Sequence, residues 1–242
     1  MPMISKNKIK RLVSLQQKKY RQIHNLFVVE GIKQVNELLL SNFKVVQVVA
    51  TSENRNKLTT DIIEVVSVDE MKKISSYKTP PGAIAVVEIN QNPTISINAI
   101  SKLLVLDDIA DPGNLGTLIR SADWFGFDAV ICSSNTVDCY NSKVIQSTMG
   151  SIFRIPILYK ELIPFFKSEL PENVNTYAAV MVGSDYRKED LKSGGVLIIG
   201  NESNGISSEI LQLSKKLITI PRSGDAESLN AGVAGGILMS AF

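Results

Sequence analysis

Short apolar runs alternate with segments of helical periodicity along most of the chain. Between residues 4 and 20, apolar side chains recur every three to four positions among lysines, which predicts a helical region. The stretches LFVVEG, VVQVVATSE, IEVVSVD and AIAVVEI are typical of strands, and IKQVNELLLSN and EMKKISSY are typical of helices. Residues 1–95 are therefore predicted to form a small α/β domain.

A more regular alternation begins after residue 100. The apolar runs KLLVLDDI, DAVICS, IFRIPIL, TYAAVMV, GVLIIG and LITIP are each followed by one helical segment, the last of which is ESLNAGVAGGILMSAF. Strands joined through single helices run parallel, because each crossover returns the chain to the same end of the sheet. The sequence predicts an α/β domain with a mostly parallel sheet over 100–242, and a polar linker within 90–101.

Composition is that of a folded intracellular protein. The chain has 242 residues, of which 44% are apolar, enough to bury a core. Cys132 and Cys139 provide neither a disulfide framework nor a metal site, which indicates a reducing compartment. No apolar signal region follows the basic start, and no apolar run approaches the length of a membrane span. We expect a cytoplasmic protein that uses no membrane and no metal.

Charge is unevenly distributed along the chain. The formal net charge is only +2, but seven cations and no acid precede Glu30. These cations are Lys6, Lys8, Lys10, Arg11, Lys18, Lys19 and Arg21. Such an excess suits the neutralisation of nucleic-acid phosphates, and it equally suits a solvated amphipathic helix. The only histidine, His24, lies in the same region, where we expect a solvated or structural role.

Three loops after predicted strands carry unusual residues: DPGNLGTLIR (111–120), GNESNGIS (200–207) and IPRSGDAESLN (220–230). Their glycines suit tight turns or a close approach to a ligand, and their polar side chains suit ligand binding. The spacing of Gly113 and Gly116 is not that of a dinucleotide site, which disfavours a nucleotide-dependent oxidoreductase. Taken singly, Asn114 and Ser228 also fit helix N-caps, and Glu202 fits a solvated acid.

Together, the three loops resemble the motifs of the SpoU (TrmH-like) family of RNA ribose 2′-O-methyltransferases, within the SPOUT superfamily. The matching residues are Asn114 and Arg120 in the first loop, Gly200, Glu202 and Gly205 in the second, and Ile220, Pro221, Ser228, Leu229 and Asn230 in the third. The stretch STMGSIFRIPI resembles a further family turn, and NLFVVEGIKQVNELL resembles the family's substrate-binding extension. Departures occur at Arg222, Ala231 and Gly232.

The resemblance implies methyl transfer from S-adenosylmethionine to a ribose 2′-hydroxyl of ribosomal or transfer RNA, ribosomal RNA being favoured. It implies catalytic roles for Asn114, Arg120, Glu202, Ser228 and Asn230, and cofactor binding by Gly200, Ile220, Pro221 and Leu229. It also implies a C-terminal trefoil knot, a ribosomal-protein-like first domain, and RNA contacts by the seven N-terminal cations. A protein of the same fold that binds RNA without catalysis is the alternative.

Arg120 lies six residues after Asn114, about 240° further around a helix, so the two cannot share a face. In the family this arginine acts across a homodimer interface, either as a base or as a phosphate clamp. The high pKa of a guanidinium favours the clamp and the stabilisation of negative charge. The small residues Gly232 and Gly236 let another backbone approach the last helix, either within the domain or across a homodimer.

Overall fold

The computed structural model describes residues 4–89, 95 and 101–242, which belong to two compact units. The first unit comprises Met1–Asn92 and Tyr140–Phe153, and the second comprises Pro93–Cys139 and Arg154–Phe242. Most of the predicted linker lies outside the described residues. The predicted domains place residues 140–153 in the second domain, whereas in the structure these residues cluster with the first unit.

Aromatic packing explains why that segment joins the first unit. The ring of Tyr140 lies 4.4 Å from that of Phe27, and the ring of Phe153 lies 5.7 Å from that of Phe43, between centroids. The side chain of Gln34 also donates to the carbonyl of Gln146 at 3.3 Å. The sequence did not predict where residues 140–153 pack, because periodicity reports only on neighbours along the chain. Burial in the folded protein joins residues more than a hundred positions apart.

The first unit contains α1 (Lys6–Ser14), α2 (Lys18–His24), β1 (Leu26–Glu30), α3 (Ile32–Leu39), β2 (Val45–Thr51), β3 (Glu64–Val66), α4 (Val68–Ile74) and β4 (Ala83–Glu88). Its sheet has the order β1-β4-β2-β3, in which β4 is antiparallel to β1 and β2, and β2 is parallel to β3. The predicted helical region at 4–20 is two helices, because the chain turns at Leu15–Gln17.

Arg21 fastens these two helices together. Its guanidinium is buried and donates to the carbonyl oxygens of Leu15 at 3.0 Å and Gln16 at 2.9 Å. Its burial and its bonds to the carbonyl groups where α1 ends disfavour the predicted contact of Arg21 with RNA. The other six predicted RNA-binding cations are exposed, and Lys8 pairs with Glu64 at 2.9 Å.

The second unit contains β5 (Lys102–Asp107), α5 (Pro112–Trp124), β6 (Ala129–Ser133), β7 (Ile157–Lys160), α7 (Leu162–Pro164), β8 (Thr176–Asp185), β9 (Gly195–Gly200), α8 (Ser208–Leu213), β10 (Lys216–Thr219) and α9 (Ala231–Met239). Helix α6 (Ser142–Thr148) lies between β6 and β7 in the sequence and belongs to the first unit. The sheet has the order β10-β8-β9-β5-β6-β7, and every pairing is parallel. The predicted parallel α/β fold is confirmed.

Two features of this unit position the candidate site. Strands β5 and β9 are neighbours with Asp107 opposite Gly200, so the loops that follow them leave the sheet side by side. In parallel α/β sheets, ligands bind outside these carboxyl ends. On one side of the sheet α9 packs against α5, where a Cβ on Gly235 would come within 2.3 Å of Leu118 Cδ2.

The same helix pair explains a second glycine of α9. A Cβ on Gly232 would lie 3.1 Å from Thr117 Cγ2, whereas one on Gly236 would meet nothing closer than Ser121 Oγ at 3.8 Å. Packing within the unit therefore explains why positions 232 and 235 are glycines. It does not explain Gly236, where a Cβ would make only an ordinary contact. In 4–89 and 101–242, no helix is long and apolar enough to cross a membrane.

Candidate active site

The beginning of α5 is fixed by Asp111, whose side chain accepts a hydrogen bond from the backbone N–H of Asn114 at 2.8 Å. Pro112 occupies the first helical turn, where its missing N–H costs nothing. Asn114 therefore lies inside the first turn and is not the N-cap. At α9 the N-cap is Asn230 and not Ser228. Neither Asn114 nor Ser228 is therefore an N-cap, and the polar side chains of both can make other contacts.

A line of hydrogen bonds, which we call the amide relay, joins Asn230, Asn114 and Glu202. The Asn230 amide Nδ2 donates to Asn114 Oδ1 at 2.8 Å, and Asn114 Nδ2 donates to Glu202 Oε1 at 2.8 Å. At the other end, Asn230 Oδ1 accepts the backbone N–H groups of Gly232 at 2.9 Å and Val233 at 3.3 Å. The relay thus connects all three loops that the sequence singles out.

The Glu202 carboxylate is held in its ionised form. Burial acts to raise its pKa, but the Asn114 amide and the backbone N–H groups of Glu202, Ala110 and Asp111 outweigh burial, so the pKa lies below the ordinary value. The N–H groups of Ala110 and Asp111 each lie 3.4 Å from a carboxylate oxygen. An ionised acceptor strengthens the hydrogen bond from Asn114 and orients the relay.

The loop after β9 is a tight turn that leaves no room for a side chain at its base. Asn201 and Gly205 exchange backbone hydrogen bonds of 2.9 and 3.0 Å, and Gly205 has a φ of +69°. A Cβ on Gly200 would lie 2.3 Å from both Gly205 C and Ile206 N. Gly200 is therefore required by the close approach of its own chain, which shapes the backbone at this position.

Sequence reading missed a contact between the first two loops. The Asn201 amide Nδ2 donates to the carbonyl of Asp108 at 2.7 Å, and Asp108 adopts a left-handed conformation with φ of +61°. The backbone N–H of Asp108 donates to Ser133 Oγ at 2.8 Å. Asn and Asp tolerate this backbone region better than most residues. The aspartates of LDDIADP could therefore have indicated a left-handed position in this loop. These contacts make the edge beside the relay rigid.

The third loop is open along its length. Residues 221–230 are all exposed, Ile220 is half-buried, and the side chain of Leu229 is 48% exposed. Arg222 Nη1 donates to the carbonyl of Ala226 at 3.3 Å across the loop. Among the described residues, no acceptor is found for the backbone N–H groups of 222–229. The loop thus presents main-chain donors beside an apolar side chain.

Arg120 and Ser228 do not join the amide relay. Arg120 is exposed on α5, and in the part of the chain that the structure describes its guanidinium has no hydrogen-bond or ion-pair partner. Trp124, one turn further along the same face, is 83% exposed. Of the five predicted catalytic residues, the structure therefore joins three and leaves two on open surface.

Cys132 and Cys139 are both buried and form no disulfide within the part of the chain that the structure describes, and burial raises the pKa of the Cys132 thiol well above its ordinary value. Within residues 4–89 and 101–242, no group of three metal-ligating side chains is assembled.

Comparison with known proteins identifies the family of this site. The sequence model described as the SpoU rRNA methylase family matches residues 101–240, which include all three loops and the relay. The chain belongs to the SpoU rRNA methylase family. A second model, described as the MRM3-like substrate binding domain, matches residues 6–85, most of the first unit.

Several relatives of this SpoU family member align over nearly its whole length. The 23S rRNA (guanosine(2553)-2′-O)-methyltransferase RlmP of Bacillus subtilis is 34% identical over 236 residues, covering 96% of this chain and 94% of the relative. A putative TrmH-family RNA methyltransferase from Porphyromonas gingivalis superposes with a TM-score of 0.86 at 33% identity, covering 99% and 98% of the two chains. The AdoMet-bound rRNA methyltransferase from Sinorhizobium meliloti gives 0.87 at 29% identity, covering 99% and 95%.

Proposed function

We propose that this SpoU family member transfers the methyl group of S-adenosylmethionine to a ribose 2′-hydroxyl of ribosomal or transfer RNA. The observation that carries the proposal is the amide relay, which ties the three family loops into one rigid edge at the carboxyl ends of β5 and β9. The names of full-length relatives, RlmP among them, support a ribosomal RNA substrate.

The residues of the second unit fit the cofactor. The backbone N–H groups of 222–229 are donors for the polar groups of S-adenosylmethionine, and Ile220, Pro221 and Leu229 offer apolar contacts. Gly200 keeps the neighbouring backbone close and free of a side chain. When bound, the cofactor supplies a methyl group activated by a sulfonium. The relay holds the loops that would surround it, so less ordering is required on binding.

The chain's own side chains would control the 2′-hydroxyl. They would place the 2′ oxygen against the methyl group that the bound cofactor would supply, and the hydroxyl proton would leave to water. The two-pronged guanidinium of Arg120 would bind a phosphate of the substrate and stabilise the developing negative oxygen. Ser228 orients the ribose, while Asn114, Asn230 and Glu202 act by positioning the loops.

Charge supports an RNA-binding role for the first unit. This unit contains fifteen Lys and Arg against eight Asp and Glu, a net +7, whereas the second unit contains eleven against sixteen, a net −5. The overall charge of +2 conceals this contrast. A protein whose basic charge is concentrated in one unit would engage the phosphate backbone there. The exposed residues Lys6, Lys8, Lys10, Arg11, Lys18 and Lys19 contribute to that charge.

We further propose a homodimer and a C-terminal trefoil knot. Trp124 on α5 and Val233 on α9 are 83% and 51% exposed, so the paired helices leave apolar surface for a second copy. Arg120 lies one turn from Trp124 and would then act at the partner's site. The knot and the ribosomal-protein-like character of the first unit follow the family resemblance. Action on RNA fits a cytoplasmic protein with reduced cysteines.

Methyl transfer from labelled S-adenosylmethionine to total ribosomal and transfer RNA tests the proposal, followed by mapping of the modified nucleotide. The product must be lost when that nucleotide carries a 2′-deoxyribose. Calorimetry separates the alternatives, since a bare RNA-binding protein would bind no S-adenosylmethionine, and an oxidoreductase would bind NAD. Absence of methyl transfer by a protein that binds both RNA and cofactor would contradict the assignment.

A further inference from the structure

Helix α2 carries two aromatic rings, Tyr20 and His24, that lie one turn apart. Their ring centroids are 6.4 Å apart and their planes differ by only 13°, so the rings are nearly parallel. Tyr20 is half-buried, whereas His24 is exposed. We call this pair the aromatic platform. Its outer ring is open to a flat ligand, and its inner ring is held by the protein.

Cations lie on the helix that carries the aromatic platform and on α1, the helix that precedes it in the chain. The Lys19 ammonium lies 6.0 Å from the centroid of the Tyr20 ring, and Lys18 is exposed on the same helix. On the adjoining helix α1, Lys6, Lys10 and Arg11 are exposed and, among the described residues, have no ion-pair partner. A surface that combines cations with open aromatic faces matches the chemistry of unpaired nucleotides, whose bases stack while their phosphates pair with cations.

The platform is rigid, which distinguishes it from two side chains that meet by chance. Arg21, between the two rings in the sequence, is buried and donates to the carbonyls of Leu15 and Gln16. The helix then stops at Asn25, which has φ of +54° and donates through Nδ2 to the carbonyl of Ile89 at 3.4 Å. The middle and the C-terminal end of α2 are therefore both fastened, so little conformational freedom remains to be lost when a ligand stacks on the helix.

We propose that Tyr20 and His24 form a stacking site for an unpaired nucleobase of the RNA substrate, flanked by phosphate contacts from Lys18 and Lys19. The inference rests on the proposed function and extends it, because it selects a single-stranded or looped RNA segment over a continuous duplex. In a duplex the bases are stacked on one another and their faces are closed to side chains. His24 thereby acquires a ligand-binding role in place of the solvated or structural one expected from the sequence.

Fluorescence anisotropy with the full-length protein tests the platform. The probes are a labelled 12-nucleotide oligoadenosine RNA and a labelled 12-base-pair RNA duplex. His24→Ala is expected to weaken binding of the oligoadenosine by about 5- to 100-fold, with less than a twofold effect on the duplex. His24→Phe keeps a flat ring and should keep most of the affinity. The matched control, Gln22→Ala, alters an exposed residue of the same helix and should stay within twofold of wild type.

Salt dependence separates stacking from charge. Lys19→Gln should reduce the slope of log affinity against log salt concentration by about 0.7, whereas His24→Phe should leave the slope unchanged. The platform is refuted if the wild type binds neither probe, if His24→Ala binds the oligoadenosine as wild type does, or if it weakens both probes equally. It is also refuted if His24→Phe loses as much affinity as His24→Ala, because a ring would then not suffice.

The two proposals fail in different ways. If the wild type methylates RNA but the His24 variants bind the oligoadenosine normally, the platform is wrong and the proposed function stands. If binding depends on a ring at position 24 but no methyl group reaches RNA, the platform stands and the methyltransferase assignment is wrong. Circular dichroism of His24→Ala checks the helix, because a ring pair that only stabilises α2 would lower the thermal midpoint without changing RNA affinity.

Discussion

Removal of the central amide of the relay, by Asn114→Ala, should weaken both the fold of the second unit and its cofactor site. The variant loses one hydrogen bond to the ionised Glu202 and one to the Asn230 amide, each 2.8 Å long in the wild type. A bond to a charged group contributes about 1.5–3 kcal/mol and a neutral one about 0.5–1.5 kcal/mol. Glu202 is exposed, so solvent replaces part of the first bond, and the free energy of unfolding should fall by about 2 kcal/mol.

A double-mutant cycle with Glu202→Ala isolates the bond between the two side chains. Urea unfolding followed by far-ultraviolet circular dichroism measures the free energy of unfolding of each variant. At pH 7 the coupling free energy should be about 1 kcal/mol or more. The matched control is Asn135→Ala, which removes an exposed asparagine from another loop of the same unit and should leave stability within about 0.5 kcal/mol of wild type.

The pH dependence of this coupling has a definite sign. The folded pKa of Glu202 lies below its ordinary value of about 4.5, so the carboxylate contributes stability that is fully present above that value. This contribution is lost as pH falls through the lowered folded pKa. The coupling should therefore be constant from pH 6 to 8 and should shrink in the acid range below pH 4. A coupling below about 0.3 kcal/mol at pH 7, or one unchanged by acid, would refute the relay as a source of stability.

Three further changes test other parts of the molecule. Arg120→Ala should lower methyl transfer by about 100- to 1,000-fold with cofactor affinity retained. If Arg120 acts in trans, mixing this variant with Ser228→Ala should restore activity in the heterodimers. Heterodimers as inactive as either parent would exclude the trans role. Gly200→Ala places a Cβ 2.3 Å from the backbone of Gly205, which must distort the tight turn. Calorimetry should therefore find cofactor binding lost or greatly weakened, and a normal affinity would contradict the role of the turn. Arg21→Ala removes the donor to the buried carbonyl of Leu15 and to the partly buried carbonyl of Gln16, and should destabilise the first unit by about 2 kcal/mol. Lys18→Gln should instead lower RNA affinity at unchanged stability, and the reverse pattern would restore Arg21 to the RNA-binding set.

The sequence by itself determined the local structure and the family. Continuous apolar runs predicted the central strands of the second unit, because strands of a parallel sheet are buried on both faces. Helical periodicity predicted its helices, because one face of each helix is buried. The three loop motifs were sufficient to predict the SpoU family, since each motif consists of a few residues close together in the sequence. The run of cations before Glu30 was likewise visible as a local excess of charge.

Relations between distant positions came only from the tertiary structure. No spacing predicts that Asn114 accepts from Asn230, 116 residues away, and donates to Glu202, 88 residues away. Nor does composition separate Arg21, whose guanidinium is buried, from Lys18 and Lys19, which are exposed. The exchange of residues 140–153 into the first unit has the same origin. Burial and hydrogen bonding join side chains according to their positions in space, and that arrangement exists only after the chain has folded.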